Sequence, residues 1–156
     1  MVSNSDIRLY YDENPSAFIR QNDEAYVHHF FTTKHSDARL IRSKLLKKQT
    51  IDLESELFES FGVEKKTVMK GFLLKKLDNA IFKNKKGAIV GPIRTSNGYH
   101  VFEILKKYKK GSKVGLEDVY DKIYQRLLKQ KQVVLAADLL DSLKEKSNVF
   151  INSNYQ

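Results

Sequence analysis

The chain contains no cysteine, only two prolines and only seven glycines among its 156 residues. Without cysteine there is no disulfide, no thiolate catalysis and no Cys-ligated metal, and an oxidising compartment is permitted without being required. No apolar run approaches the roughly 18 residues of a membrane span. The opening, MVSNSDIRLYYDEN, lacks the basic and apolar stretches of a signal peptide. A cytoplasmic location follows if Met1 is the natural start, and a periplasmic or otherwise extracytoplasmic one if a leader has been removed. No internal repeat and no low-complexity tract appears. What is abundant is charge of one sign: 28 Lys+Arg stand against 19 Asp+Glu, a formal net charge of +9. Such a balance favours acidic partners, membrane surfaces or nucleic acid. The lysines come as scattered pairs, such as Lys65-Lys66 and Lys85-Lys86, which is the pattern of solvated faces, so nucleic acid is not the expected partner. Hydrophobic residues, at 41%, suffice for a core.

The stretch Gly87–Leu105, GAIVGPIRTSNGYHVFEIL, reads as two strands around the turn Ser96-Asn97-Gly98. Tyr99, Val101 and Ile104 nearly alternate with polar positions, as a half-buried strand should. Upstream, residues 5–20 read as two short helical pieces joined at Asn14-Pro15, a connector rather than a core element. EAYVHHFFTT is rich in aromatic and β-branched types and reads as a strand. Its alternation puts His29 on one face and His28 on the other, where His28 is expected to be exposed. Ser36-Asp37 is expected to cap a helix carrying Ala38, Ile41 and Leu45. A second helix is expected over Asp52–Phe61, a short strand over Lys66–Phe72, and a helix over Leu73–Phe82. His35 is read as a loop residue. Lys109–Gly115 reads as a linker. The longest helix begins at Leu116 and repeats apolar residues every four positions to Leu143, with Val149-Phe150-Ile151 as a closing strand.

The pattern GPI-x-T-x-x-GYH-V resembles the closing hairpin of the parvulin family of peptidyl-prolyl isomerases. YVHHFF is similar to that family's first strand, and LLKKLDNAIFKNKKGAIVGPI to its pocket segment. The resemblance covers about half the chain. It implies an α+β fold with an antiparallel sheet over residues 24–108, preceded by a helical connector (1–23) and followed by a linker (109–115) and a long C-terminal helix with a short tail (116–156). It implies His29 and His100 as the catalytic pair, and Leu73, Leu77, Phe82, Thr95 and Asn97 as substrate-binding residues. No cofactor and no metal are implied. There are departures from the pattern. The segment between the second helix and the second strand has shrunk to Ser60–Lys66, with no GG and Ser60 as the only candidate for the family's polar catalytic residue. Leu77 replaces the pocket aromatic, and Asn97 stands where many members have serine. The long helix and tail resemble the end of SurA/PrsA-type extracytoplasmic foldases, whose chaperone module pairs an N-terminal helical region with this helix. On that reading the chain is a piece of a longer protein.

An isomerase needs no nucleophile. It needs an apolar slot and polar groups that favour a twisted amide over a planar one. The expected function is therefore a foldase-type chaperone domain that binds unfolded or proline-containing polypeptide clients, with isomerase activity weak or lost. An active isomerase is the first alternative, favoured by a polar residue that reaches His29 and His100. A basic nucleic-acid-binding or scaffolding module is the second, favoured by a clustered basic face. The apolar stripe of the last helix is expected to pack on residues 5–20 or on a second copy in a homodimer.

Overall fold

The computed structural model describes residues 1–47 and 59–153, with side chains to residue 147. They form two compact units. The first comprises Arg20–Ser112 and is α+β. Its elements are β1 (Glu24–Thr32), α2 (His35–Leu46), β2 (Glu64–Met69), α3 (Lys75–Phe82), β3 (Ile89–Arg94) and β4 (Tyr99–Tyr108). The four strands make one antiparallel sheet in the order β2-β1-β4-β3. The expected strand of Tyr26–Phe31 thus lies beside β4 of the expected hairpin.

Alternation along β1 and β4 gives the sheet two apolar faces. On one, Ala25, Val27, Phe102 and Ile104 pack with Leu77 and Ile81 of α3, and with Val68 and Val90. On the other, Phe30 and Val101 pack with Ala38, Ile41 and Leu45 of α2. His28 shares the face of Phe30. It is buried, at 6% exposure, rather than exposed as expected, because Glu103 lies directly across the β1–β4 ladder and its carboxylate sits 3.0 Å from His28 Nδ1. Three other boundaries differ from expectation. β2 starts two residues early, at Glu64, because its pairing with β1 extends to His29. α2 begins at His35, which packs its ring 5.0 Å from Tyr99, and Ser36 and Asp37 fall inside the first turn without capping it. Of the helix expected over Asp52–Phe61, residues 59–61 are helical, while Leu53 and Leu57 lie outside the described residues.

The hairpin turn between β3 and β4 depends on Gly98. Its φ is +153°, and a Cβ there would stand 2.6 Å from the Thr32 carbonyl oxygen at the end of β1.

The second unit comprises Met1–Ile19 with Lys113–Gln156. It contains α1 (Asn4–Glu13), a 3-10 turn (Pro15–Phe18) and α4 (Leu116–Ser153). Ser3 caps α1 through a reciprocal bond with Asp6. The segment 5–20, read from the sequence as a connector, supplies half of a core. Ile7, Tyr11 and Phe18 are buried with Ile123, and Leu116, Val119, Tyr124 and Leu127 pack against them. The helix stripe therefore meets residues 5–20 over its first part, as expected. Lys131 marks the end of that contact with an ion pair to Asp6 at 3.0 Å. Beyond it Leu135, Leu139, Leu140 and Leu143 are exposed. α4 continues through Val149-Phe150-Ile151 to Ser153, so the expected closing strand is helix.

Gly98→Ala should destabilise the sheet unit by about 1–3 kcal/mol, whereas Gly111→Ala, with open space around it, should fall at the low end of that range. Urea unfolding of both variants checks this. In the helical unit Ile123→Ala should cost about 2–5 kcal/mol, against about 0.5 kcal/mol or less for the exposed Leu139→Ala. Denaturation followed by circular dichroism at the helix band separates the two.

Candidate active site

His29 sits in the middle of β1, opposite Glu64 of β2 on one side and Phe102 of β4 on the other. Its imidazole stacks on the Phe102 ring, 4.5 Å between centroids and 12° between planes. Phe102 is itself buried, so the histidine ring is clamped flat against the core. His100 begins β4 between Phe31 and Ile93. The two imidazoles meet edge to edge: their planes differ by 5° and His29 Nε2 lies 2.9 Å from His100 Nδ1. Both residues point to the α3 side of the sheet because they share the parity of Val27 and Phe102.

The pair belongs to a longer chain of hydrogen bonds. Glu64 Oε2 lies 2.8 Å from His29 Nδ1 and 2.5 Å from Lys66 Nζ. At the other end Thr95 Oγ1 lies 3.0 Å from His100 Nε2. Glu64 is held down at about 2, first by the Lys66 ammonium and then by His29, so it is a carboxylate at neutral pH. A carboxylate only accepts. His29 Nδ1 therefore donates, and a neutral His29 accepts at Nε2 from the N–H on His100 Nδ1. His100 in turn accepts at Nε2 from the Thr95 hydroxyl. One ionised group fixes both tautomers. Burial pushes the His29 imidazole below its ordinary 6.5, and the Glu64 hydrogen bond opposes this. Burial also lowers His100, helped by His29 and Lys66. Both rings are accordingly neutral at pH 7.

The other residues singled out from the sequence divide. Thr95 joins the histidine pair directly. Asn97 is exposed beside it in the turn, and its backbone N–H lies 3.4 Å from Thr95 Oγ1. Leu77 is 6% exposed and packs into the core beneath the sheet, with Leu73 half-buried against the same cluster. Phe82 is half-buried against the same cluster, and its backbone carbonyl accepts from Lys107 Nζ at 3.0 Å. Two features escaped the sequence reading. One is Glu64, whose carboxylate is hydrogen-bonded to His29. The second is a cleft of about 430 Å³ lined by Leu74, Lys75, Lys76, Arg94, Thr95 and Ser96, which opens at the Thr95 end of the hydrogen-bond chain. Among the described residues, no group of His, Asp and Glu side chains is arranged to hold a metal ion.

The depressed imidazoles have a consequence for stability. An unfolded chain takes up protons at histidine from about 6.5 downward, while the folded chain keeps His29 and His100 neutral to lower pH. The unfolded state then binds more protons, so stability should fall as pH drops below about 6.5. Loss of the Glu64 contribution follows between its ordinary 4.5 and about 2. Proton NMR titration should place both imidazole midpoints below 6.5, and Glu64→Gln should lower that of His29 further by removing an opposing influence.

A family profile for the PPIC-type PPIASE domain matches residues 2–121. Among curated proteins, the foldase protein PrsA of Clostridium perfringens is 24% identical over 159 residues, covering 95% of this chain and 46% of its own length. That of Clostridium botulinum is 24% identical over 156 residues, with 95% and 46% covered. The chain thus spans about half the length of the curated relatives it matches. Among solved structures, one from work on PEB4 and a periplasmic protein, two SurA-like chaperones of Campylobacter jejuni, aligns with a TM-score of 0.51 at 22% identity, over 91% of this chain and 62% of that one. This second likeness is one of fold. The profile covers every residue of the Glu64–His29–His100–Thr95 chain, and the protein belongs to the family of the PPIC-type PPIASE domain.

Proposed function

We propose that the unit Arg20–Ser112 is a foldase domain that binds proline-containing segments of unfolded polypeptide in the cleft beside Thr95, and that it retains peptidyl-prolyl isomerase activity. The observation that carries this reading is the Glu64 carboxylate on His29. The sequence alone offered no clear polar partner for the pair and so pointed to weak or lost activity. Glu64 fills that role from the start of β2.

An amide resists rotation by about 18–20 kcal/mol because its nitrogen lone pair is delocalised. Catalysis requires groups that prefer the twisted amide. The histidines serve as a rigid, neutral floor: their hydrogens are committed to one another and to Glu64, so they neither take nor give protons. Their task is to hold Thr95 and the 96–98 turn. Asn97 sits at that turn with its side-chain oxygen accepting from Ser96 at 3.1 Å, which leaves its Nδ2 to donate toward the rotating carbonyl. Leu74 and Phe31, both exposed, offer apolar surface for the proline ring and its neighbour. The relatives named foldase support a client that is polypeptide. The match to a structure described with a periplasmic protein supports work outside the cytoplasm. Among the described residues, no helix is long and apolar enough to cross a membrane.

Removing a hydrogen bond to a charged group costs about 1.5–3 kcal/mol, or roughly one to two orders of magnitude in rate at about 1.36 kcal/mol per tenfold. In a proline-limited refolding assay the protein should accelerate the slow phase, and Glu64→Gln should cut that acceleration by ten- to a hundredfold. Suppression of aggregation of a proline-free client should be unchanged by the same substitution. A protein that holds clients but never accelerates the slow phase would instead be a binding-only foldase.

A further inference from the structure

The net charge is divided unequally. The unit Arg20–Ser112 carries 20 Lys+Arg against 10 Asp+Glu, a net charge of +10, while the remainder carries 8 against 9, a net charge of −1. The basic character of the chain is therefore a property of the isomerase-type unit. It reaches the candidate site. Three of the six residues lining the cleft are the cations Lys75, Lys76 and Arg94, and none of the six is acidic. All three cations are exposed. The carboxylates nearest in sequence are engaged elsewhere. Asp78 Oδ1 accepts from the Gly71 N–H at 2.7 Å, Glu64 is held by Lys66 and His29, and the Glu103 carboxylate lies 3.0 Å from His28 Nδ1. No described side chain pairs with Lys75, Lys76 or Arg94. The apolar contribution to the lining is Leu74, and Thr95 ties the cleft to His100.

Unpaired cations around a concave site raise the local concentration of anions and favour ligands that neutralise them. A polypeptide meets that demand with aspartate or glutamate. Arginine adds a planar fork that matches a carboxylate, which a lysine lacks. We infer that this cleft selects client segments carrying a carboxylate next to the bound proline, so that the preferred substrate is an acidic, proline-containing polypeptide. The inference rests on the proposed isomerase reading and adds its specificity.

The test uses the full chain and three peptides that differ only in the residue before proline: Glu, Ala or Lys. Binding is read by fluorescence anisotropy and isomerisation by exchange NMR, at low and at high salt. Exposed ion pairs are individually weak, but three cations on one carboxylate should give about tenfold higher kcat/KM for Glu-Pro than for Lys-Pro at low salt. The ratio should shrink at high salt, because exposed charges are screened. It should fall to one or invert in the double variant Lys76→Glu/Arg94→Glu, whose circular dichroism spectrum and urea midpoint, unchanged from the parent, check that the fold is intact. Equal constants for the three peptides, or a preference that survives the double variant, would overturn the inference while leaving the isomerase reading in place. Failure to bind or turn over any of the peptides would overturn both. Tight association with phosphatidylserine vesicles that the Glu-Pro peptide cannot compete away would assign the cations to an anionic surface and also overturn it.

Discussion

The ionised Glu64 carboxylate orders a line of hydrogen bonds that crosses three strands of the sheet. Because it can only accept, the proton on each imidazole has one place to be. That line needs β2, β1 and β4 in their observed register. A one-residue slip of β2 would turn Glu64 to the opposite face and leave a lysine in its place. The Phe102 ring under His29 supplies the second constraint, since it fixes the ring plane in which the 2.9 Å contact to His100 can form. Fold and site are therefore one arrangement. The apolar packing of Val27, Phe102 and Ile104 against α3 sets the sheet, and the sheet sets the hydrogen bonds.

The architecture was written in short-range patterns. The Ser96-Asn97-Gly98 turn and the alternation in EAYVHHFF lead directly to β1, β3 and β4, and hence to the meeting of His29 and His100. The helix expected over Leu73–Phe82 is there as α3, with Leu77 and Ile81 buried. Long-range pairing was not written there. His28 is buried because Glu103, 75 residues away, lies across from it. Nothing local in HHFF distinguishes that from an exposed histidine. Glu64 was missed for the same reason. In the run VEKKTV it reads as one more surface charge, and only the register with β1 brings it to His29.

The last helix illustrates how a sequence stripe can serve two ends. Its first turns bury Ile123 against Ile7, Tyr11 and Phe18, and Lys131 closes the contact through Asp6. Beyond that point the same four-residue spacing continues with Leu135, Leu139 and Leu143 in water. Periodicity records an amphipathic helix without recording where its partner ends. The charge pattern adds a distinction that composition conceals, because the excess of lysine belongs to the sheet unit and to the cleft beside its histidines.

The central claim is that a carboxylate polarises a neutral histidine pair in one direction. Long-range proton–nitrogen correlation spectra of the imidazole rings at pH 7.5 test it most directly, since they report the protonation of each ring nitrogen. The account predicts that His29 and His100 are both neutral and both carry their hydrogen on Nδ1. A hydrogen on Nε2 of His29, or a doubly protonated ring at either position, would contradict it.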